Sequence, residues 1–254
     1  MPKVVIYTDF DGTLTNRDGR KTINSDFYQS LLQDRGMRLK PDEEVQSLFE
    51  EKFGEYSPEV YTKLDSDMLL SLESIAFLKE LLQIDEVAIN IVTKNCKDYV
   101  VALLTYHGFP EENIDKINIL DSGKKAKDVK ANAKDLTKAL KSSEELRNTR
   151  IFAYLFDDTK SDLEEMSSSS CLDREYFKVK TFSTTPGKFK WAEYLNTIKT
   201  QLSSISESKS RPLGINQELF PNEVGKDNPD SCNKSPDVGE ASSNLVKKET
   251  KLDL

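Results

Sequence analysis

Val4-Val5-Ile6-Tyr7-Thr8-Asp9-Phe10-Asp11-Gly12-Thr13-Leu14-Thr15 is the stretch that decides the fold. Four apolar or aromatic residues lead straight into two aspartates one residue apart, then a glycine and two threonines. A short continuous apolar run of this kind suits a strand buried on both faces of a parallel sheet. Ligands of such sheets bind beyond the carboxyl ends of the strands. Asp9 stands where the run ends, so its carboxylate projects into that crevice, and Asp11 faces the same side. Gly12 lets the backbone turn sharply, and the amides of the turn face an anion. A calcium loop also begins DxDG, but it needs further oxygen ligands at fixed spacing and a distal glutamate, which Thr13-Leu14-Thr15 does not begin to supply.

Working outward, similar apolar runs recur at Val87–Val92 (VAINIV), Ile117–Leu120 (INIL) and Ile151–Phe156 (IFAYLF), and Phe177–Phe182 (FKVKTF) alternates like an edge strand. Between them lie helical patterns at Met68–Leu82, Tyr99–Tyr106, Gly123–Leu146 and Trp191–Leu202. In the third, Ala126, Val129, Ala133, Leu136 and Leu140 form a stripe with lysines on the other side. Strands alternating with helices predict an α/β domain with a doubly wound, mostly parallel sheet over residues 1–203. Residues 16–66 interrupt the alternation. They carry helix-like pieces near Ser25–Leu32 and Glu43–Phe53, and read as a small helical insertion after the first strand. Residues 204–254 are polar and rich in Ser, Asn, Lys, Glu, Asp and Pro. They bury too little apolar surface to offset their ordering entropy, and are expected to be a disordered tail.

Composition excludes several classes. The 254 residues carry a net charge of −8, which argues against nucleic-acid binding through a basic field. Three scattered cysteines (Cys96, Cys171, Cys232) and one histidine (His107) leave no disulfide framework and no His-based zinc site. The N-terminus has no secretory h-region, and no apolar run is long enough to span a bilayer. A soluble, cytoplasmic protein is the expectation.

The other strand ends add polar groups to the same crevice. VAINIV ends at Thr93, whose hydroxyl can donate to a phosphoryl oxygen. IFAYLF ends at Asp157-Asp158, with Asp162 four residues beyond Asp158. Acidic groups after a buried strand are costly without positive charge among them. With Asp9 they make an all-oxygen site suited to Mg²⁺. The helix that follows INIL starts with lysines, and Lys124, Lys125 and Lys127 are candidates to reach the crevice.

DFDGTLT, Thr93, a lysine and DDTKSD, in that order over residues 4 to 162, resemble the four motifs of the haloacid dehalogenase-like (HAD) superfamily. GKKAKDV makes Lys124 the best match to the third motif, with Lys125 the alternative. The resemblance implies a Rossmann-like core whose insertion at 16–66 is a small cap. It implies a Mg²⁺-dependent phosphate monoester hydrolase with Asp9 as nucleophile and Asp11 as general acid and base. Thr93 and Lys124 would hold the phosphoryl oxygens with Gly12 beside them, and the metal would bridge Asp9, the backbone carbonyl of Asp11, and Asp157 or Asp158. Aspartate at position 11 favours phosphatases and phosphomutases over the ion-pumping and dehalogenase branches. The small cap favours a bulky substrate such as a phosphorylated protein of phosphotyrosine type, and a small metabolite stays open beside it. So does a non-catalytic binding module on the same scaffold. Tyr28, Phe49, Phe53, Tyr56 and Tyr61 are either an apolar wall near the site or the core of the insertion. The Ser/Glu/Lys-rich tail resembles the translocation signals of Legionella type IV-secreted effectors, a group that includes HAD-type phosphatases. That likeness implies secretion into a host cell.

Overall fold

The computed structural model describes residues 1–33, 38–58, 68–146, 149–186 and 190–210. Five strands form one sheet: β1 (Val4–Thr8), β2 (Val87–Val92), β3 (Ile117–Leu120), β4 (Ile151–Asp157) and β5 (Phe177–Ser183). The order is β3-β2-β1-β4-β5 and every pairing is parallel. β1 is therefore central, which explains its uninterrupted apolar run. All five of its residues are buried, and they alternate between two cores. Val4 and Ile6 face one core, shared with α4 (Leu72–Leu81), α5 (Lys97–Tyr106) and α9 (Trp191–Ser210). Val5 and Tyr7 face the other, shared with α7 (Lys125–Ser142) and α8 (Lys160–Met166). Helices on both faces of a parallel sheet are the doubly wound α/β arrangement expected from the sequence, and β5 is the half-exposed edge strand that FKVKTF suggested.

The insertion after β1 is helical: α1 (Gly19–Ile23), α2 (Asp26–Ser30) and α3 (Asp42–Phe53). An antiparallel bridge between Thr15 and Leu70 closes its neck. Phe49 is fully buried and stacks on Tyr106 of α5 at 5.3 Å, while Tyr28 meets Tyr99 edge-on at 5.1 Å. Phe53 and Tyr56 sit against Tyr106 as well. These aromatics fasten the insertion to the core rather than lining the site, and Tyr61 lies outside the described residues.

Several boundaries differ from the sequence reading. The segment NRDGRK (16–21), which reads as a loop in the sequence, instead leads into α1, because Asp18 caps that helix, accepting from the amides of Arg20 and Lys21. The helix expected from Met68 starts at Leu72, where Ser71 supplies the cap, and Met68–Leu70 are buried chain ahead of it, in a turn that ends at the bridge to Thr15. The pattern at 123–146 divides into α7 and a 3₁₀ turn at Glu144–Leu146. A short helix, α6 (Glu111–Ile114), precedes β3 and was not anticipated. Residues 204–210, assigned to the tail, continue α9, and the remainder of the expected tail lies outside the described residues. Among the described residues no helix is long and apolar enough to cross a membrane.

Candidate active site

The carboxyl ends of β1, β2 and β4 converge on a cleft of about 240 Å³. Asp9 follows β1 directly, and its amide donates to the carbonyl of Phe156 at 2.8 Å, which fixes it to the neighbouring strand. Phe10 is fully buried against Tyr99, so the aspartates on either side of it both turn to the cleft. Gly12 has φ +78°, and a Cβ there would collide with the Asp158 carboxylate. Only glycine accommodates both the left-handed backbone and that contact. Gly19, at the start of α1, packs over Asp11, where a Cβ would lie 3.3 Å from the Asp11 Cβ.

Lys125 is the buried cation of the site, with exposed Lys94 and Arg20 also on the lining. Its Nζ lies 2.9 Å from Asp9 Oδ1, 2.8 Å from Asp157 Oδ2 and 3.4 Å from Asp162 Oδ2. Burial alone would lower its pKa, but the carboxylates of Asp9 and Asp157 hold it above the ordinary lysine value, so it is charged. Lys124, the better match by local motif, is exposed and occupies the N-cap of α7. The reason is helical phase. Lys125, Val129 and Ala133 lie at i, i+4 and i+8 and are all buried, so they share the face turned to the sheet, whereas Lys124 stands outside the first turn.

Asp9, Asp157 and Asp158 each present a carboxylate oxygen within 4.8 Å of the others. Burial pushes the pKa of Asp9 up, with Lys125 pulling it down and Asp157 and Asp11 adding to the rise. Asp157 is raised by burial too, against the same lysine and the amide of Thr159. The donor set is entirely oxygen, and one lysine faces several carboxylates, so the residues fit a hard divalent cation such as Mg²⁺. Asp157 already spends Oδ1 on the Thr159 amide at 2.8 Å and Oδ2 on Lys125. Asp158 Oδ1 accepts from the Thr159 hydroxyl at 3.2 Å, and its Oδ2 is the oxygen turned to the space left by Gly12. Asp162 also lines the cleft, paired with Lys94 at 2.6 Å.

Asp11 is held by different groups. Its Oδ2 accepts from Asn95 Nδ2 at 3.2 Å, and its Oδ1 is buried with no hydrogen-bond partner among the described residues. The orientation of the Asn95 amide follows from its own partners. Asn95 Oδ1 accepts from the Tyr28 hydroxyl at 3.0 Å and from the Cys96 amide at 2.8 Å, leaving Nδ2 for Asp11. Burial pushes the Asp11 carboxyl up to about 6, opposed by hydrogen bonding from Asn95 and Thr22. Thr93 is buried at the end of β2, and its Oγ1 accepts from the Asn95 amide at 3.0 Å, which keeps the hydroxyl proton available to donate.

The sequence reading placed Asp9, Asp11, Gly12, Thr93, Asp157 and Asp158 around one crevice, and the structure brings these six together. Asn95 and Thr22 had no role in that reading, and Tyr28 entered it only as an apolar wall or core residue of the insertion. Asn95 stands two residues beyond Thr93, a spacing that keeps it at the same strand end. Nothing local marks Tyr28 or Thr22: Tyr28 meets Asn95, and Thr22 comes near Asp11, through the tertiary docking of the insertion.

No protein-family profile and no curated protein matches the chain. Solved structures do. The Legionella pneumophila effector Ceg4, in a form with an N-terminal TEV protease cleavage sequence, is 36% identical with a TM-score of 0.67, covering 79% of this chain and 94% of that one. A second Ceg4 structure, carrying an N-terminal yeast Hog1p sequence, is 37% identical with a TM-score of 0.65, covering 79% and 95%. The HAD domain of the L. pneumophila effector Lem4 is 24% identical with a TM-score of 0.55 over 78% and 94%, a likeness of fold. Matched over nearly the whole length of Ceg4, the chain belongs to the family of that effector, and its motif order and β3-β2-β1-β4-β5 sheet go with the haloacid dehalogenase-like fold that Lem4 shows.

Proposed function

We propose that this chain is a phosphate monoester hydrolase that forms an aspartyl-phosphate on Asp9 and acts on phosphotyrosine-type protein substrates. One observation carries the reaction: two buried carboxyls two residues apart face one cleft with different partners, Asp9 with Lys125 and Asp11 with Asn95. That difference suits an ionised nucleophile beside a protonated acid.

In the first step an Asp9 carboxylate oxygen attacks phosphorus, the bond to the leaving oxygen breaks, and Asp11 gives that oxygen its proton. In the second, Asp11 takes a proton from water, the water oxygen bonds phosphorus, and the Asp9 ester breaks. Lys125 and the Thr93 hydroxyl hold phosphoryl oxygens, where developing charge is stabilised by fixed donors. Asp9, Asp157, Asp158 and the Asp11 carbonyl are the groups that would hold Mg²⁺. When bound, the metal would supply Lewis-acid neutralisation of phosphoryl charge.

Support for a protein substrate is the small cap. Among the described residues of the insertion, those that line the cleft belong to α1 and its cap, with exposed Arg20 and half-buried Ile23, which leaves room for a large leaving group. Ceg4 and Lem4 are both named as effectors, which supports secretion of this chain into a host cell. Turnover of para-nitrophenyl phosphate with Mg²⁺ tests the reaction. The expected result is activity that EDTA abolishes, followed by preference for tyrosine phosphopeptides over phosphosugars and nucleotides. Inactivity towards every phosphate ester would overturn the reading, and preference for a metabolite would overturn the substrate class.

A further inference from the structure

Helix α7 carries a second feature that the site does not use. Behind the buried Lys125, five lysines (Lys127, Lys130, Lys134, Lys138 and Lys141) are all exposed. Their spacing is 3, 4, 4 and 3 residues, which at 100° per residue confines them to an arc of about 80° and a ridge of about 21 Å. The ridge belongs to a chain whose net charge is −8. It is thus a local concentration of positive charge rather than part of a basic surface.

The ridge works against the helix that bears it. Lysines at i, i+3 and i, i+4 are neighbours, and like charges at that spacing destabilise a helix. A helix face that only needs solubility mixes acidic residues into these positions. Here the two aspartates of α7, Asp128 and Asp135, stand off the ridge, and only Asp135 has a ridge lysine at the i±3 or i±4 spacing, Lys138. None of the five lysines makes an ion pair among the described residues; Lys141 instead covers the ring of Tyr176 at 4.8 Å. A local rule broken without a compensating contact inside the molecule points to a contact outside it.

We infer that the α7 ridge docks an acidic polypeptide segment of a partner protein, laid along the helix. Charge complementarity sets the sign, and a strand rising about 3.3 Å per residue covers the ridge with six or seven residues. A narrow ridge suits one extended strand better than a plane. Among the described residues the exposed large hydrophobics are Met1 and Leu72, so α7 offers no apolar side chain to enter a bilayer. Because α7 starts in the cleft with Lys125, a segment docked on it lies on a path leading from the site.

The test is fluorescence anisotropy of the full chain with a labelled, unphosphorylated acidic decapeptide, so it is independent of any phosphatase activity. The expected result is binding that weakens as salt is raised, and falls at least about tenfold in K130E/K134E/K138E. Reversal of three lysines elsewhere, K52E/K116E/K160E, is expected to leave binding nearly intact, and K130R/K134R/K138R to retain it. K134Q, which relieves two like-charge contacts, is expected to hold or raise Tm while weakening binding, which separates docking from folding. Equal loss in both reversed variants, or no loss in the ridge variant, would overturn the inference. So would tighter, ridge-dependent binding to phosphatidylserine vesicles or to a single-stranded oligonucleotide than to the peptide.

Discussion

The core side and the cap side of the cleft hold the same kind of group by opposite means. On the core side Asp9 sits among Lys125, Asp157 and Asp158, all delivered by the carboxyl ends of strands or the helix packed on them. On the cap side Asp11 meets the amide of Asn95, the nearby hydroxyl of Thr22 and the backbone of Gly19, and Tyr28 orients Asn95 from α2. Formal charge surrounds the first carboxylate and neutral dipoles surround the second. Burial raises both acids; at Asp9 the Lys125 charge opposes the rise, whereas at Asp11 hydrogen bonds from neutral groups do so first. In the proposed reaction, the two aspartates that look redundant in DFD take separate roles, one as nucleophile and one as proton carrier.

The largest effect is expected on the core side. Asp9→Asn is predicted to lower kcat/KM by ~10⁴-fold or more, since it removes the attacking atom itself. A residual rate above that level would show that Asp9 is not the nucleophile. Lys125→Met comes next. It leaves buried carboxylates without their cation, and a loss of about 3–5 kcal/mol in urea unfolding accompanies a fall of roughly 10²-fold or more in turnover. The neighbouring change Lys124→Met is expected to stay within about 0.5 kcal/mol, as for other exposed positions. This contrast between adjacent residues tests the helical phase directly.

On the cap side the effects are smaller and depend on the leaving group. Asp11→Asn should reduce kcat/KM by about 10²–10⁴-fold for alkyl phosphates and far less for para-nitrophenyl phosphate, whose leaving group needs little protonation. Equal losses on both would remove Asp11 from its role as acid. The finest effect concerns Asn95. Asp11 must be protonated to act first, so kcat/KM is expected to fall as pH rises through its pKa, near the value of about 6 set by burial. Asn95 donates to the carboxylate and so favours the ionised form. Asn95→Leu removes that support, raises the pKa and moves the falling limb to higher pH. Tyr28→Phe loses one hydrogen bond to Asn95, worth about 1 kcal/mol, and should shift the limb in the same direction by less. A limb that moves downward in either variant would break the assignment.

The same contrast explains what could be read in the sequence. The core side was legible because strand and helix periodicities place residues by local rules. An apolar run ending in Asp9, another ending in Thr93, and a third ending in Asp157-Asp158 already define three corners of the cleft. Lys125 was decidable in principle from its i+4 and i+8 partners, Val129 and Ala133, but motif likeness favoured Lys124. Asp18 as the cap of α1 was equally readable and was taken for a loop residue. The cap side was not legible. Tyr28 is 67 residues from Asn95, and their hydrogen bond exists only because Phe49 and Tyr28 pack against Tyr99 and Tyr106. No periodicity within residues 16–66 encodes that docking.

The central claim is a covalent phosphoryl group on Asp9. The direct measurement is rapid-quench mass spectrometry of Asp11→Asn turning over an aryl phosphate with Mg²⁺, because loss of the base slows hydrolysis of the intermediate. The account predicts one phosphorylated peptide, the one containing Asp9, absent from Asp9→Asn. Phosphate found on another residue, or none on a protein that releases phenol in a burst, would contradict it.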